Sequence, residues 1–225
     1  MSEPMTYATD IALDAAVRAE ASALADRPGR CVLGLVGAPA SGKSTLAEAL
    51  VAALAPRAVN VPMDGFHLSQ RELHRLGRHD RKGAPDTFDA AGYRDLLTRI
   101  RQGFGGAETI YAPGFYREIE EPIAASIAVD AETPLVVTEG NYLLLDETPW
   151  TSIADALDAV WFLDVAAEQR EAWLAARHQR FGRSRDAAWA WIAATDRPNA
   201  AHIEATAARA DRHLVWDGQM LRFAA

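Results

Sequence analysis

Nine consecutive residues, Gly37-Ala38-Pro39-Ala40-Ser41-Gly42-Lys43-Ser44-Thr45, combine types that can hold a polyphosphate. They fit the pattern G-x-x-x-x-G-K-[ST] of a phosphate-binding loop. Gly37 and Gly42 allow backbone angles and a close approach that a side chain would block. The N–H groups of such a loop converge on phosphate oxygens, and the helix that follows adds its positive N-terminal end. Lys43 sets a point charge between the outer phosphates, and the Ser44 hydroxyl can ligate Mg2+. The nine residues therefore ask for a nucleoside triphosphate with Mg2+, without saying what is done with it.

Two carboxylates suggest what is done. Glu139 ends the uncharged run "PLVVT", where a second acid would complete the Mg2+ shell. Asp64 follows the short apolar stretch "VPM", with Gly65, Phe66 and His67 behind it. An Asp there can accept a hydroxyl proton as that oxygen attacks the γ-phosphorus. A turn acid is the plain alternative, since Asp and Gly often end strands. His67 is placed to orient the acceptor or the carboxylate. Neither D-x-x-G after a strand nor N-K-x-D occurs where a GTPase would need it, so a hydroxyl acceptor on a small molecule fits better.

These residues need elements to hold them at one place. "CVLGLVG" (31–37) is a continuous apolar run, the pattern of a strand buried on both faces, and 43–55 reads as the helix after the loop. Further strands are expected at 58–63, 134–140, 159–165 and 212–216. Helices are expected at 9–27, 69–76 and 89–102, with Asp89 as N-cap. After 165 come three more helical stretches, 166–181, 185–195 and 198–209. "ETIYAP" and "ASIAVD" flank "GFYREIEEPIA", which reads as a link. Strands alternating with helices argue an α/β fold with a mostly parallel sheet, and such sheets bind ligands beyond the carboxyl ends of their strands.

The stretches "GAPASGKST", "MDGFH", "DRKGAPDTFD", "APGFYRE" and "VVTEGNYLLL" together resemble the P-loop kinases that include phosphoribulokinase, uridine kinase and type I pantothenate kinase. "PMDGFHLS", "RKGAPDTFD" and "TEGNYLLLD" resemble most a set of short bacterial proteins labelled as fructose-transport-system or nucleoside kinases. The resemblance runs from about residue 30 to the end. It implies a three-layer α/β/α P-loop NTPase fold with a mostly parallel five-stranded sheet. It also implies one domain over 1–225, with a core at about 28–165 and 198–225 and an arginine-bearing helical lid at about 166–197. By the same resemblance Asp64 is the base, Lys43 holds the phosphates, and Ser44 and Glu139 surround Mg2+. Arg177 and Arg180 share a helix face and match lid arginines that stabilise transition-state charge. Asn199, in "DRPNA", falls where the group often contacts adenine. Phe115, Tyr116 and Arg117 stand where pantothenate kinases carry Tyr-Ser-His, which argues against pantothenate and, through Arg117, for an anionic or polyhydroxyl acceptor. His67, Lys82, Tyr116, Arg117 and Asn141 are the expected acceptor-side residues.

The bulk of the chain agrees with this. It has 225 residues, 23 Lys and Arg against 31 Asp and Glu, and a net charge of −8, so a general nucleic-acid surface is not expected. Basic residues instead crowd at 71–82 and 170–185, which suits small anionic ligands. Cys31 is the single cysteine, so there is no disulfide framework. No apolar run has the ~20 residues of a membrane span, and no signal-like segment opens the chain, so a cytoplasmic protein is expected. A homodimer is one option, because Trp189 and Trp191 cannot both face one core. The reading is an ATP- and Mg2+-dependent kinase acting on a small metabolite with a free hydroxyl, such as a sugar, a nucleoside or a pantothenate-like compound. The alternative from another class is a nucleotide-dependent switch that acts on a protein partner.

Overall fold

The structure, a computed structural model, describes residues 13–224. Its centre is a sheet whose first strand, β1 (Cys31–Val36), is buried at every position. Alternation along β1 explains this. Val32 and Val36 face one hydrophobic cluster, whereas Cys31, Leu33 and Leu35 face another on the opposite side. The first cluster is completed by α4 (Ala90–Gln102) and by the segment 142–157, the second by α1 (Ala15–Ala25) and α2 (Lys43–Leu54). A strand covered on both faces must be apolar throughout, as the sequence is.

β2 (Ala58–Asn60), β5 (Leu135–Gly140), β1, β6 (Ala159–Asp164) and β7 (Arg212–Trp216) run parallel in that spatial order. A sixth strand, β8 (Leu221–Phe223), pairs antiparallel with β7 at the edge. The expected five-stranded sheet thus gains a short strand, three residues long, that carries no periodicity of its own. β1 lies between β5 and β6, and Leu35 is in register with Glu139. The loop after β1 and the acid ending β5 therefore emerge side by side at the carboxyl edge.

The segment 107–132, expected as two flanks and a link, is instead a separate antiparallel hairpin of β3 (Ile110–Tyr116) and β4 (Glu121–Val129). The supposed link, 114–124, holds the paired ends of both strands, and only 117–120 is the tip. The expected strand 58–63 ends at Asn60, and Met63–Phe66 is a 3-10 turn. α3 (Gln70–Arg75) follows, and Asp89 caps α4 by accepting from the Gly92 N–H at 2.8 Å, as expected. Residues 9–12 of the expected first helix lie outside the described residues.

Beyond β6, α5 (Ala167–Arg180) and α6 (Arg185–Trp191) appear as expected. α6 ends at Trp191, short of the expected 195, and the third stretch, expected at 198–209, is not a separate helix. A π-helical turn, Ile192–Asp196, joins α6 directly to α7 (Arg197–Glu204). Arg170 forms an ion pair with Glu204, Arg197 with Glu171 at 2.8 Å, and His178 with Asp196 at 2.9 Å, so α5 is bound to the π-turn and α7. Among the described residues no helix is long and apolar enough to cross a membrane.

Candidate active site

The loop between β1 and α2 is built for an anion. Gly42 caps α2 at φ +90°, a left-handed angle that suits glycine, and offers no side chain to the helix's first N–H groups. Those donors remain for a ligand. A Cβ on Gly37 would lie 2.6 Å from Ser41 Oγ and 2.9 Å from the Leu163 carbonyl oxygen, so only glycine fits there. The Ser41 hydroxyl is buried without a hydrogen-bond partner among the described residues.

Lys43 is buried, and its Nζ donates to the carbonyls of Gly37 at 2.8 Å and Ala38 at 3.1 Å. Burial pulls its pKa down to about 8, against the pull of Glu139 and Asp64, while Arg177 and Arg170 add to the lowering. Ser44 Oγ donates to Glu139 Oε1 at 2.8 Å. Burial, and then the nearby charge of Asp64, push Glu139 above the usual carboxylate range. A hydroxyl oxygen and a carboxylate oxygen side by side are hard donors that fit Mg2+, which takes few protein ligands and leaves room for phosphate oxygens. Among the described residues no group of three or more His, Cys, Asp and Glu forms an all-protein metal site.

Asp64 lies in the 3-10 turn after β2, within electrostatic reach of both Lys43 and Glu139. A chain of buried hydrogen bonds fixes the spacing between the two acids. Thr138 Oγ1 donates to the Val61 carbonyl at 2.6 Å, and Tyr93 lies 2.5 Å from Thr138 Oγ1. His67 turns its Nδ1 to the Asp64 carbonyl at 2.8 Å; a carbonyl only accepts, so Nδ1 carries the hydrogen. Its ring packs on Phe88 and Phe115, and burial holds its pKa below the ordinary value. Arg117 Nη2 lies 3.4 Å from Asp64 Oδ2. Lys82 donates to the Glu120 carbonyl at the hairpin tip. The Glu121 carboxylate accepts from the Gln70 N–H at the start of α3, so the tip is docked on that side too.

Residues 32–215 match the Phosphoribulokinase / Uridine kinase family. The chain belongs to that family. Its members are small-molecule kinases, phosphotransferases with an alcohol group as acceptor, and the chain shares that class. It is 36% identical over 158 residues to the "Putative uridine kinase C227.14" of Schizosaccharomyces pombe, covering 66% of each protein. It is 31% identical over 157 residues to the pantothenate kinase of Mycolicibacterium vanbaalenii, covering 68% of this chain but only about half, 49%, of that longer protein. Among solved structures it resembles a "putative fructose transport system kinase" from Silicibacter sp. TM1040, with TM-score 0.79 and 36% identity over 91% of this chain and 100% of that one.

Within this kinase fold the structure brings together Lys43, Ser44, Glu139, Asp64, His67, Arg117 and Lys82. Arg177 is half-buried and bears on Lys43. Arg180, at the end of α5, is exposed, and it is Arg170 of the same helix, buried and bound to the Val165 carbonyl at 2.9 Å, that also reaches the field of Lys43. Sequence spacing had paired Arg177 with Arg180. The signal in the sequence is that Arg170 lies in the first turns of α5, directly after β6. Tyr116 is exposed at the end of β3, and Asn141 bears on the Tyr142 hydroxyl. Asn199 Oδ1 lies 3.0 Å from that hydroxyl, which donates to the Gly83 carbonyl at 2.5 Å. Asn199 thus meets Tyr142, whose hydroxyl also reaches the loop that carries Lys82. Phe115 and Tyr142 are central to the site, and in the sequence they stand inside the stretches "APGFYRE" and "TEGNYLLLD".

Proposed function

We propose that this chain transfers the γ-phosphoryl group of ATP, with Mg2+, to a hydroxyl of a small metabolite. The observation that carries the reading is the convergence of Asp64 and Glu139 on Lys43, with Glu139 already held by Ser44. The acceptor oxygen attacks the γ-phosphorus in line. Its bond to phosphorus forms as the bond from phosphorus to the β,γ-bridging oxygen breaks, ADP leaves, and the hydroxyl proton passes to Asp64. Lys43, Arg177 and the N-terminal N–H groups of α2 face the charge that spreads over the transferring group. Mg2+, when bound by Ser44 and Glu139, would neutralise charge on the β- and γ-phosphate oxygens. The helical segment of about 166–197 acts as the lid that keeps water from taking the phosphoryl group. A cytoplasmic protein that needs neither nucleic acid nor membrane is part of the same reading.

Asp64→Asn tests it. The variant should bind ATP as the parent does and lose transfer by a factor of about 10² or more. A panel of sugars, nucleosides and hydroxy acids, scored by ADP release above the acceptor-free background, supplies the readout. Turnover in Asp64→Asn equal to the parent's would remove Asp64 from the role of base. ADP release that no acceptor raises would point to a switch instead.

A further inference from the structure

The Phe115 ring is an unusual place for charge. Lys82 Nζ stands 4.9 Å from its centroid, the Arg117 guanidinium carbon 5.9 Å, and the His67 ring 4.8 Å. All three sit beside Asp64. Lys82 comes from an exposed loop, yet its side chain is only 13% exposed. In return it has a carbonyl of Glu120 and a carboxylate no nearer than 3.8 Å. Burial lowers its pKa, as expected of an ammonium group that has lost water without gaining a close anion. Arg117 is half-exposed, and its 3.4 Å approach to Asp64 is long for a charge-assisted hydrogen bond. Neither cation thus has a carboxylate oxygen in close contact in the free protein: the nearest lies 3.8 Å from Lys82 and 3.4 Å from Arg117.

A neutral acceptor has no use for them. In the free protein Arg117 already reaches Asp64 Oδ2 at 3.4 Å, where an acceptor hydroxyl would have to sit, and a neutral acceptor offers nothing to draw it away. An acceptor with its own negative charge is different. It must approach Asp64, Glu139 and a triphosphate, and without cations at its far end that approach is repelled. A cation-flanked aromatic ring next to the base supplies such an end, and a flat apolar surface for the carbon body.

We infer that the acceptor carries an anionic group, a carboxylate or a phosphate, seated between Lys82 and Arg117 against Phe115, and that Arg117 leaves Asp64 for that group as the acceptor binds. This rests on the phosphotransfer reading and deepens it. Arg117 then acts as a latch: water carries no anion, so in its presence Asp64 stays paired, and the base is released by the molecule whose hydroxyl it serves. Specificity and suppression of hydrolysis come from the same residue.

Matched triads test it: glycerate, glycerol 3-phosphate and glycerol; ribonate, ribose 5-phosphate and ribose; gluconate, glucose 6-phosphate and glucose. Each is titrated by calorimetry into the ADP-bound protein, so that binding is read without transfer, and each is assayed with ATP. In at least one triad a charged member should bind about tenfold or more tightly than the neutral one. Arg117→Gln and Lys82→Gln should each remove about tenfold of that preference, and Arg117→Lys less, with thermal unfolding reporting that each variant is folded. Whether the carboxylate or the phosphate member wins identifies the group. Neutral members bound or phosphorylated as well as charged ones, a preference indifferent to both substitutions, or no charge-dependent binding in any triad would each overturn the inference. Charge-dependent binding without any transfer would leave the inference standing and remove the kinase reading.

Discussion

Lys43 holds its charge at a cost. It is buried, its Nζ is occupied by two carbonyls of its own loop, and its pKa of about 8 lies well below the ordinary 10.5. In the nucleotide-free protein this group therefore favours folding more as pH rises from about 8 toward 10.5, because the folded state prefers it neutral. A bound triphosphate reverses the preference by placing several negative charges beside the ammonium. Between those two pH values ATP binding must bring a proton with it. Calorimetry at pH 9 in two buffers of different ionisation enthalpy should show uptake of about one proton per ATP, falling away toward pH 7 where Lys43 is already charged. Binding heats that are independent of the buffer at pH 9 would mean that the lysine does not meet the phosphates. Lys43, Ser44, Glu139 and Asp64 were legible in the sequence because each belongs to a local pattern: a glycine-spaced loop, or an acid closing an apolar run. Phe115 was legible only through the stretch "APGFYRE", and Arg170 was not, because its place in the site depends on which element packs over the sheet edge, and no local spacing encodes that.

The hairpin and the turn after β2 form the wall opposite the phosphate cradle. Their closest approach is at Gly65, where a Cβ would lie 2.3 Å from the Pro113 carbonyl oxygen of β3. That oxygen is backbone, so it cannot swing aside as a side-chain tip could. Gly65→Ala should move the hairpin off Asp64, and with it Phe115 and Arg117, while Gly37–Thr45 stays as it is. ATP affinity should change little, kcat/KM for the acceptor should fall about tenfold or more, and stability should drop by about 1–3 kcal/mol, the usual cost of overpacking. Parallel losses in ATP affinity and acceptor kcat/KM would show that wall and cradle are one unit. Here the sequence misled in an instructive way. Periodicity found β1, β5 and β6, which are buried on both faces and read as unbroken apolar runs. It failed on β3, whose outward positions carry the apolar rings Tyr111 and Tyr116 around a bulge between Ala112 and Gly114, and on β4, whose burial does not alternate. It also extended β2 through Pro62 into what is a 3-10 turn, and that turn is what aims Asp64 across the edge of the sheet.

At the scale of the whole molecule, the helices after β6 fall into an anchored part and a free part. α5 is bound to the π-turn and α7 by three ion pairs, and Leu174, Ala175 and Ile192 form a small apolar cluster against Ala40 of the phosphate loop. This anchored part touches the cradle directly. The turn between α5 and α6 is different. Gly182 sits at φ +92°, Phe181 is 67% exposed, Trp189 is 39% exposed, and Arg183 stacks over Trp191 at 4.0 Å, with Ala188 the one fully buried residue of the segment. The π-turn, with its wider ring of hydrogen bonds, marks where one part gives way to the other. If this turn closes over bound nucleotide, the motion belongs to 181–191 and not to the whole helical segment. Amide exchange should then slow in 181–191 when a non-hydrolysable ATP analogue and an acceptor bind together, with α7 and β1 unchanged. Equal slowing across α5, α6 and α7 would mean that the segment swings as one body about the end of β6. Unchanged exchange throughout would mean that no segment closes over the site, and the transfer chemistry would then take place in an open cleft.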